Sequence, residues 1–394
     1  MTGTGPAGQH TVRRHNCALV LGAVAQSPGI SRAGIAARTG LTKATVSSLV
    51  DRLLAATLLH DEGPQRRAGP GRRGTSLSLS PHGPHGLGVE IAVDYVATCL
   101  VDLTGAVHDL RTRHGDNRDR PVELVLDKVT RAIAAARRAA TRRGVAVGGI
   151  GVAVPGLVES ATGVLRVAPN LDWHGIDLPA RLRRRAGPVG RDVIVGNEAN
   201  LAALAELWAM GEEGPRDFVH VSAEIGIGAG IVLDGELHEG FRGFGGELGH
   251  FPVDPRGPRC RCGARGCLER LAGQEAILAA ANATGLEELI QRLRDGDRMA
   301  QEAVERAAAS LGVALSAVVN LLDVPAVVLG GGYARLHRWL ADPLLAELRT
   351  RVVSAPWSRI EVLPSSLGTE AAVRGAAASV VRTIVADPEA FISG

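Results

Sequence analysis

Apolar residues recur at helical spacing through "NCALVLGAVAQSPGI", after a loose leader "MTGTGPAGQHTVRRHN", and stop at Pro28-Gly29. Ser31 offers an N-cap to a short helix, "RAGIAART", which Gly40 closes. Thr42 caps a third helix, "KATVSSLVDRLLAATLL", with Val46, Leu49, Val50, Leu53 and Leu54 on one face. Lys43, Thr45, Ser47 and Ser48 lie at or near the other face of its first turns. Helix, tight glycine turn and helix predicts a helix-turn-helix unit within residues 12–80. The stretch "HDEGPQRRAGPGRRGTSLSLSP" then sets Arg66, Arg67, Arg72 and Arg73 among Gly and Pro, ahead of an alternating run. It predicts a β-hairpin wing with a basic tip.

The texture changes at Gly86. "GLGVEIAVDYVATCLVDLTGAVHDL" reads as two β-rich runs around a turn at Thr104-Gly105. A long helical stretch follows from Pro121, then the buried strand "VGGIGVAVPGLVE". "RDVIVGNEANLAALAELWA" is strand into helix, "DFVHVSAEIGIGAGIVLDGEL" is strand, glycine turn and strand, and "AVVLGGG" is a further buried strand. Strands alternating with helices predict an α/β fold for residues 86–394, large enough for two lobes with a cleft between them. Glycine-rich strand exits are where such folds bind ligands.

Charge sharpens the division. Residues 1–80 carry ten Lys/Arg and three Asp/Glu, a balance of +7, whereas the whole chain of 394 residues stands at +3 and the remainder therefore at −4. A basic front segment on a mildly acidic body predicts an anionic partner for the front alone; with the helix-turn-helix pattern, that partner is double-stranded DNA. The second helix of such a unit places its N-terminal side chains, here Thr42, Lys43, Thr45, Ser47 and Ser48, on base edges, and the wing arginines reach phosphates or the minor groove. The composition, 45% hydrophobic and 22% charged, is that of a soluble protein. No apolar run reaches about 20 residues and the leader lacks an apolar core, so a cytoplasmic protein with no membrane association is expected.

Three of five cysteines fall within "HFPVDPRGPRCRCGARGCLER". His250, Cys260, Cys262 and Cys267 supply one imidazole and three thiolates, a standard tetrahedral zinc set. Gly257, Gly263, Gly266 and Pro258 let the chain fold tightly, and Arg259, Arg261 and Arg265 would favour thiolates. Four protein ligands leave no open position, which predicts a structural zinc. A redox pair would need Cys-x-x-Cys, which Cys260-x-Cys262 is not, and buried inert thiols are the plain alternative.

The segment "GGELGHFPVDPRGPRCRCGARGCLE" resembles the signature of the ROK family of repressors and sugar kinases, and the resemblance extends over essentially the whole chain. "VPAVVLGGG" and "SSLGTEAAVRGAAA" resemble the family's adenosine-side motif and C-terminal helix. The resemblance implies a two-lobed, sugar-kinase-like domain of the actin/hexokinase type behind a winged helix-turn-helix. It also implies a sugar site at Asn197, Glu198, Glu247, His250 and Glu269, with Gly156 and Asn170 as weaker members. Zinc would then brace the loop that carries Glu247, His250 and Glu269.

Kinases of that family open with Asp-x-Gly-Gly-Thr, whereas the matching stretch here is "EIAVD", Glu90 to Asp94. Their second loop, Gly-Thr-Gly-x-Gly-x-Gly, is here "EIGIGAG", and the usual catalytic aspartate is Glu198. Carboxylates and Cβ atoms stand where a backbone should approach phosphate. The expectation is a sugar-responsive transcriptional regulator, most simply a repressor, acting as a homodimer or dimer of dimers and without kinase activity. The rival is a sugar kinase with a DNA-binding arm.

Overall fold

The structure is a computed structural model, and it describes residues 9–64, 75–187 and 193–392. Helix α1 (Gln9–Gln26) starts ahead of the leader's expected end, because its first turns are held: Arg14 donates to both carboxylate oxygens of Asp387 at 2.7 Å. Helix α2 (Arg32–Thr39) has the expected caps, with Ser31 accepting from Gly34 N–H and Gly40 in the left-handed region at φ 71°. Thr42 accepts from Thr45 N–H at the start of α3 (Lys43–Ala55), which buries Val46, Leu49, Val50 and Leu53. Strands β1 (Leu59–Pro64) and β2 (Thr75–Leu79) pair antiparallel as the wing. Arg66, Arg67, Arg72 and Arg73 lie outside the described residues.

The first lobe is a five-stranded sheet. Strands β3 (His85–Ile91), β4 (Tyr95–Val101) and β5 (Val107–His114) form an antiparallel meander, followed by helix α4 (Val122–Arg142) and strand β6 (Val147–Val154), parallel to β3. A small sheet of β7 (Leu157–Val158), β8 (Leu165–Ala168) and β9 (Trp173–Ile176) leads to α5 (Leu178–Ala186). Strand β10 (Val193–Asn197) completes the order β10-β6-β3-β4-β5 and runs into α6 (Glu198–Met210).

The second lobe repeats this plan. Strands β11 (Phe218–Ala223), β12 (Ile227–Leu233) and β13 (Glu236–Leu237) form the meander. After the cysteine loop come α7 (Glu269–Ala272), α8 (Gln274–Ala281), α9 (Leu286–Arg294) and α10 (Arg298–Leu322). Strand β14 (Ala326–Gly330), helix α11 (Gly331–Arg351) and strand β15 (Glu361–Pro364) close the order β13-β12-β11-β14-β15, with β14 and β15 parallel to β11 and β14 respectively. Helix α10 is long and apolar enough to cross a membrane, although no continuous apolar run in the sequence suggested one. Its Val304, Leu311, Leu315 and Val319 belong to the buried core of this lobe.

The final helices are α12 (Ala371–Ala386) and α13 (Glu389–Ile392). Each lobe gives its last long helix to the other. Helix α6 leaves the first sheet and packs on β11 and β12, while α12 leaves the second sheet and packs on β3, β4 and β6. The two helices also pack on each other. Backbone meets backbone at these seats: a Cβ at Gly88, Gly151 or Gly375 would overlap the carbonyl oxygens of Val373, Ala376 and Leu201.

The far end of α12 enters the winged domain. Val380 and Ile384 share one buried cluster with Cys17, Leu21, Ile35, Val50, Leu53 and Leu77. Arg52, in the last turn of α3, donates to Glu389 at 2.9 Å. Helices α12 and α13 thus supply part of the winged domain's apolar cluster, across the division that the sequence placed at residues 80 and 86.

Gly151→Ala is expected to lower the unfolding free energy by about 3 kcal/mol or more, since neither sheet nor helix backbone can yield. Gly22→Ala in α1, where a Cβ meets nothing within 4 Å, should leave it unchanged or raise it by up to about 1 kcal/mol. Urea unfolding of the two variants beside the parent checks the contrast.

Candidate functional site

Between the lobes lies a cavity of about 550 Å³. Its wall includes Glu90, Asp94, Asp172, Glu198, Glu224, Glu247 and Glu269, with Arg261 as the only Lys or Arg side chain among the described residues. Gly156, Asn170, Asn197 and His250 line it too, so all seven residues assigned by resemblance to the sugar site border one cavity.

Their local roles differ. Asn197 caps α6: its Oδ1 accepts from Ala199 and Asn200 N–H, and its Nδ2 donates to Gly156 O at 3.0 Å and Glu198 Oε2 at 3.1 Å. Asn197 therefore aims Glu198 more than it offers groups of its own. Burial raises the Glu198 carboxyl well above the usual range, with Glu247, Glu90 and Glu224 adding to the effect. Gly156 adopts φ 102°, and a Cβ there would strike the carbonyl oxygen of Val167, so the turn admits no side chain.

The cysteine loop hangs beside this wall. One ligand atom from each of His250, Cys260, Cys262 and Cys267 lies within 4.8 Å of all the others. Cys262 Sγ and Cys267 Sγ are 3.7 Å apart, and Cys260 Sγ is 3.7 Å from His250 Nδ1. Sulfurs about 2.3 Å from a common centre sit about 3.7 Å apart along a tetrahedron edge, so these residues fit a tetrahedral ion. The opposite ring nitrogen, His250 Nε2, is 3.8 Å from Glu247 Oε2.

Burial and the nearby Glu269 push the Cys260 thiol up, while Arg259, Arg261 and Arg265 are exposed on the same loop. The Cys260 thiol donates to Glu269 Oε1 at 2.9 Å. A bound cation would favour thiolates here.

A second acidic group faces the cleft from both lobes. The Tyr95 hydroxyl lies 2.7 Å from Glu90 Oε1 and 3.2 Å from Glu224 Oε2. Burial and the neighbouring Glu224 push Glu90 up to about 8. Burial likewise pushes Glu224 up to about 7. Sequence reading found Glu90 and Glu224 but not Tyr95, although it is one of only two tyrosines in the chain. It also missed His220, which is fully buried against the cavity with neither ring nitrogen partnered; burial lowers its pKa to about 4 and keeps it neutral.

On the winged domain, Thr42, Lys43 and Ser48 are exposed, and Thr45 and Ser47 are half-buried along α3. The Thr45 hydroxyl is 2.8 Å from that of Thr42, and the Ser47 carbonyl accepts from Arg32.

Known proteins share both parts. The ROK family profile matches residues 86–383, and a MarR family profile matches residues 13–68. The xylose repressor of Bacillus subtilis (strain 168) is 29% identical over 381 residues, covering 95% of this chain and 97% of that protein. The glucokinase of Thermotoga maritima is 31% identical over 255 residues, covering 60% of this chain and 80% of that protein. A crystal structure of a ROK family transcriptional regulator, a homologue of the E. coli MLC protein, superposes with a TM-score of 0.81 at 25% identity over 97% of this chain and all of the other. A ROK family glucokinase from Streptomyces griseus, in complex with glucose and AMPPNP, gives a TM-score of 0.66 at 27% identity, covering 75% of this chain and 98% of that one.

The buried carboxyl pair sets a pH dependence. An ordinary glutamate titrates near 4.5, so between that value and about 8 the native pair keeps protons that the unfolded chain releases. The pair's contribution is fully present below about 4.5 and declines as pH rises toward 8. Glu224→Gln should therefore gain in Tm relative to the parent from about pH 5 to about pH 8.5 in thermal melts. A Tm difference that stays constant across that range would mean that neither carboxyl holds a proton.

Proposed function

The chain belongs to the ROK family, and we propose that it is a DNA-binding transcriptional repressor whose operator affinity responds to a sugar in the interlobe cleft. The observation that carries this reading is the course of α12. It begins beside Gly368 and Thr369 on the cavity wall and ends inside the core of the winged domain. A change in lobe spacing reaches α3 through a single helix and the Arg52–Glu389 pair.

In this reading α3 lies in the major groove, with Thr42, Lys43, Thr45, Ser47 and Ser48 at its entering end. Arg66, Arg67, Arg72 and Arg73 contact phosphates or the minor groove from the wing tip. Two chains, or a dimer of dimers, read a two-fold symmetric operator. Glu198, Glu247, His250 and Glu269 hold sugar hydroxyls, with Asn170 at the rim and with Asn197 and Gly156 shaping the wall. Carboxylates and an imidazole accept from or donate to hydroxyls in fixed directions, which suits a polyol.

His250, Cys260, Cys262 and Cys267 hold a structural zinc ion, His250 through Nδ1, leaving Nε2 toward Glu247 and the ligand. The tetrahedral spacing of the four atoms and the closed donor set support zinc. Bound zinc would stiffen the loop and favour thiolates at the three cysteines.

Phosphoryl transfer is absent in this reading. It depends almost wholly on positioning and on neutralising phosphate charge. Here Glu90 and Glu224 bring carboxyls to the cavity, Ala92 and Val93 add buried side chains, and Glu198 is held toward its protonated form rather than as a base.

Elemental analysis should find about one zinc per chain. Cys262→Ser should lose that metal and melt earlier, whereas zinc content equal to the parent's would remove the assignment.

Binding of operator DNA, titrated with D-xylose as first probe because of the relatives' names, should weaken about 5–150-fold. Glu247→Ala should bind operator normally and lose the response. By reciprocity, operator should weaken sugar binding by the same factor. A sugar that binds tightly and shifts neither equilibrium would leave two unlinked functions. Sugar phosphate formed from ATP above a heat-killed control would restore the kinase reading.

A further inference from the structure

The acidic group at Tyr95 has a use that neither the metal loop nor the fold accounts for. Glu90 sits at the end of β3, Tyr95 opens β4, and Glu224 follows β11, so the three side chains meet across the interlobe cleft. Glu90 is only 3% exposed and borders the cavity, and although the Val373 amide lies beside its carboxyl, its Oε2 makes no hydrogen bond of normal geometry among the described residues. Buried carboxyl oxygens are rarely left unsatisfied without a reason, and a ligand group is such a reason.

Hydrogen counting fixes what the pair can accept. Tyr95 has one hydroxyl hydrogen and two carboxyl neighbours. Whichever carboxyl does not receive that hydrogen needs a proton of its own to lie within hydrogen-bond distance of the phenol oxygen. The group therefore holds at least one neutral carboxyl, and the raised titration of both glutamates agrees with this. The hydrogens of the group are then spent on the Tyr95 contacts, so the oxygen left open, Glu90 Oε2, is an acceptor that an alcohol hydroxyl fills by donating. It is a poor complement to a phosphate, which brings negative charge and offers mainly acceptors. Asp94 adds further acidic charge around it. Among the described residues the guanidinium on the cavity wall, Arg261, belongs to the cysteine loop.

We propose that Glu90 and Glu224 are specificity-determining residues of the cleft, that they take a hydroxyl of an unphosphorylated sugar and exclude the phosphate ester of that sugar, and that Tyr95 is the positioning residue that pairs them. The inference rests on the sugar reading above and narrows it to free, uncharged sugars.

The test is calorimetric titration of the full chain with D-xylose, D-glucose and N-acetyl-D-glucosamine, each beside its terminal phosphate ester. At least one free sugar should bind, with its ester at least about 100-fold weaker, as expected when like charges are brought together. Glu90→Gln with Glu224→Gln should narrow that ratio to below about 10-fold, chiefly through tighter ester binding. Tyr95→Phe should weaken the free sugar and narrow the ratio less. Where the double variant fails to fold by circular dichroism, Glu224→Gln alone carries the test, since Glu224 is half-buried and its replacement keeps the shape. An ester that binds the parent as well as its free sugar, or a folded variant with an unchanged ratio, overturns the proposal and leaves the sugar reading standing. Failure of all six probes to bind overturns the sugar reading and this inference with it.

Discussion

The close crossing of α6 and α12 is the contact on which the other features depend. Each helix starts from one sheet and lies on the other, and they meet where Gly375 lets one backbone approach the Leu201 carbonyl. Dispersion and burial at such a seam fall off steeply with distance, so a shift of one lobe moves both helices or separates them. Asn197 and Glu198 stand at the start of α6, and Gly368 and Thr369 stand just before α12. The cleft is thus framed by the two helix starts that the crossing fixes. A ligand that changes the interlobe distance acts against a packed seam with few intermediate positions, the kind of element that shifts between discrete arrangements.

Electrostatics gives the cleft its character. Among the described residues seven carboxyls line a space with one guanidinium, and several of them are held toward their neutral forms by burial and by one another. The cysteine loop lies on the same wall, with His250 Nε2 near Glu247 and Glu269 against Cys260. Charge on the loop and charge in the cleft are therefore coupled through shared side chains. A dication among the thiols would draw Glu269 and His250 into one field and lower the mutual repulsion of the wall.

Local chemistry was the part most readily read from sequence. The caps at Ser31, Gly40 and Thr42 depend on neighbours two to four residues away, and each stands where the pattern put it. The grouping of His250 with three cysteines was legible from residue type and count, and the four atoms do converge. Glu90 and Glu224 were visible as charges set in glycine-rich surroundings. Tyr95 was not, because its role comes from a residue 129 positions away. Nor does any local pattern show that α12 seats against glycines in β3 and β6 or enters the winged domain, for those contacts join residues hundreds of positions apart.

That last contact bears on how the molecule is made. The winged domain is synthesised before the body that follows it, yet its apolar cluster is completed by Val380 and Ile384 and its helices are pinned by Asp387 and Glu389. Those residues are synthesised roughly 300 positions later, and at about 5–20 residues per second that is an interval of some tens of seconds. Throughout it, the face of α1 that will receive α12 and the end of α3 that will meet α13 stand uncovered in the nascent chain. The DNA-binding surface reaches its finished form only after the body behind it has been translated and has delivered its final helix, so a half-made chain presents an unfinished reader to the genome.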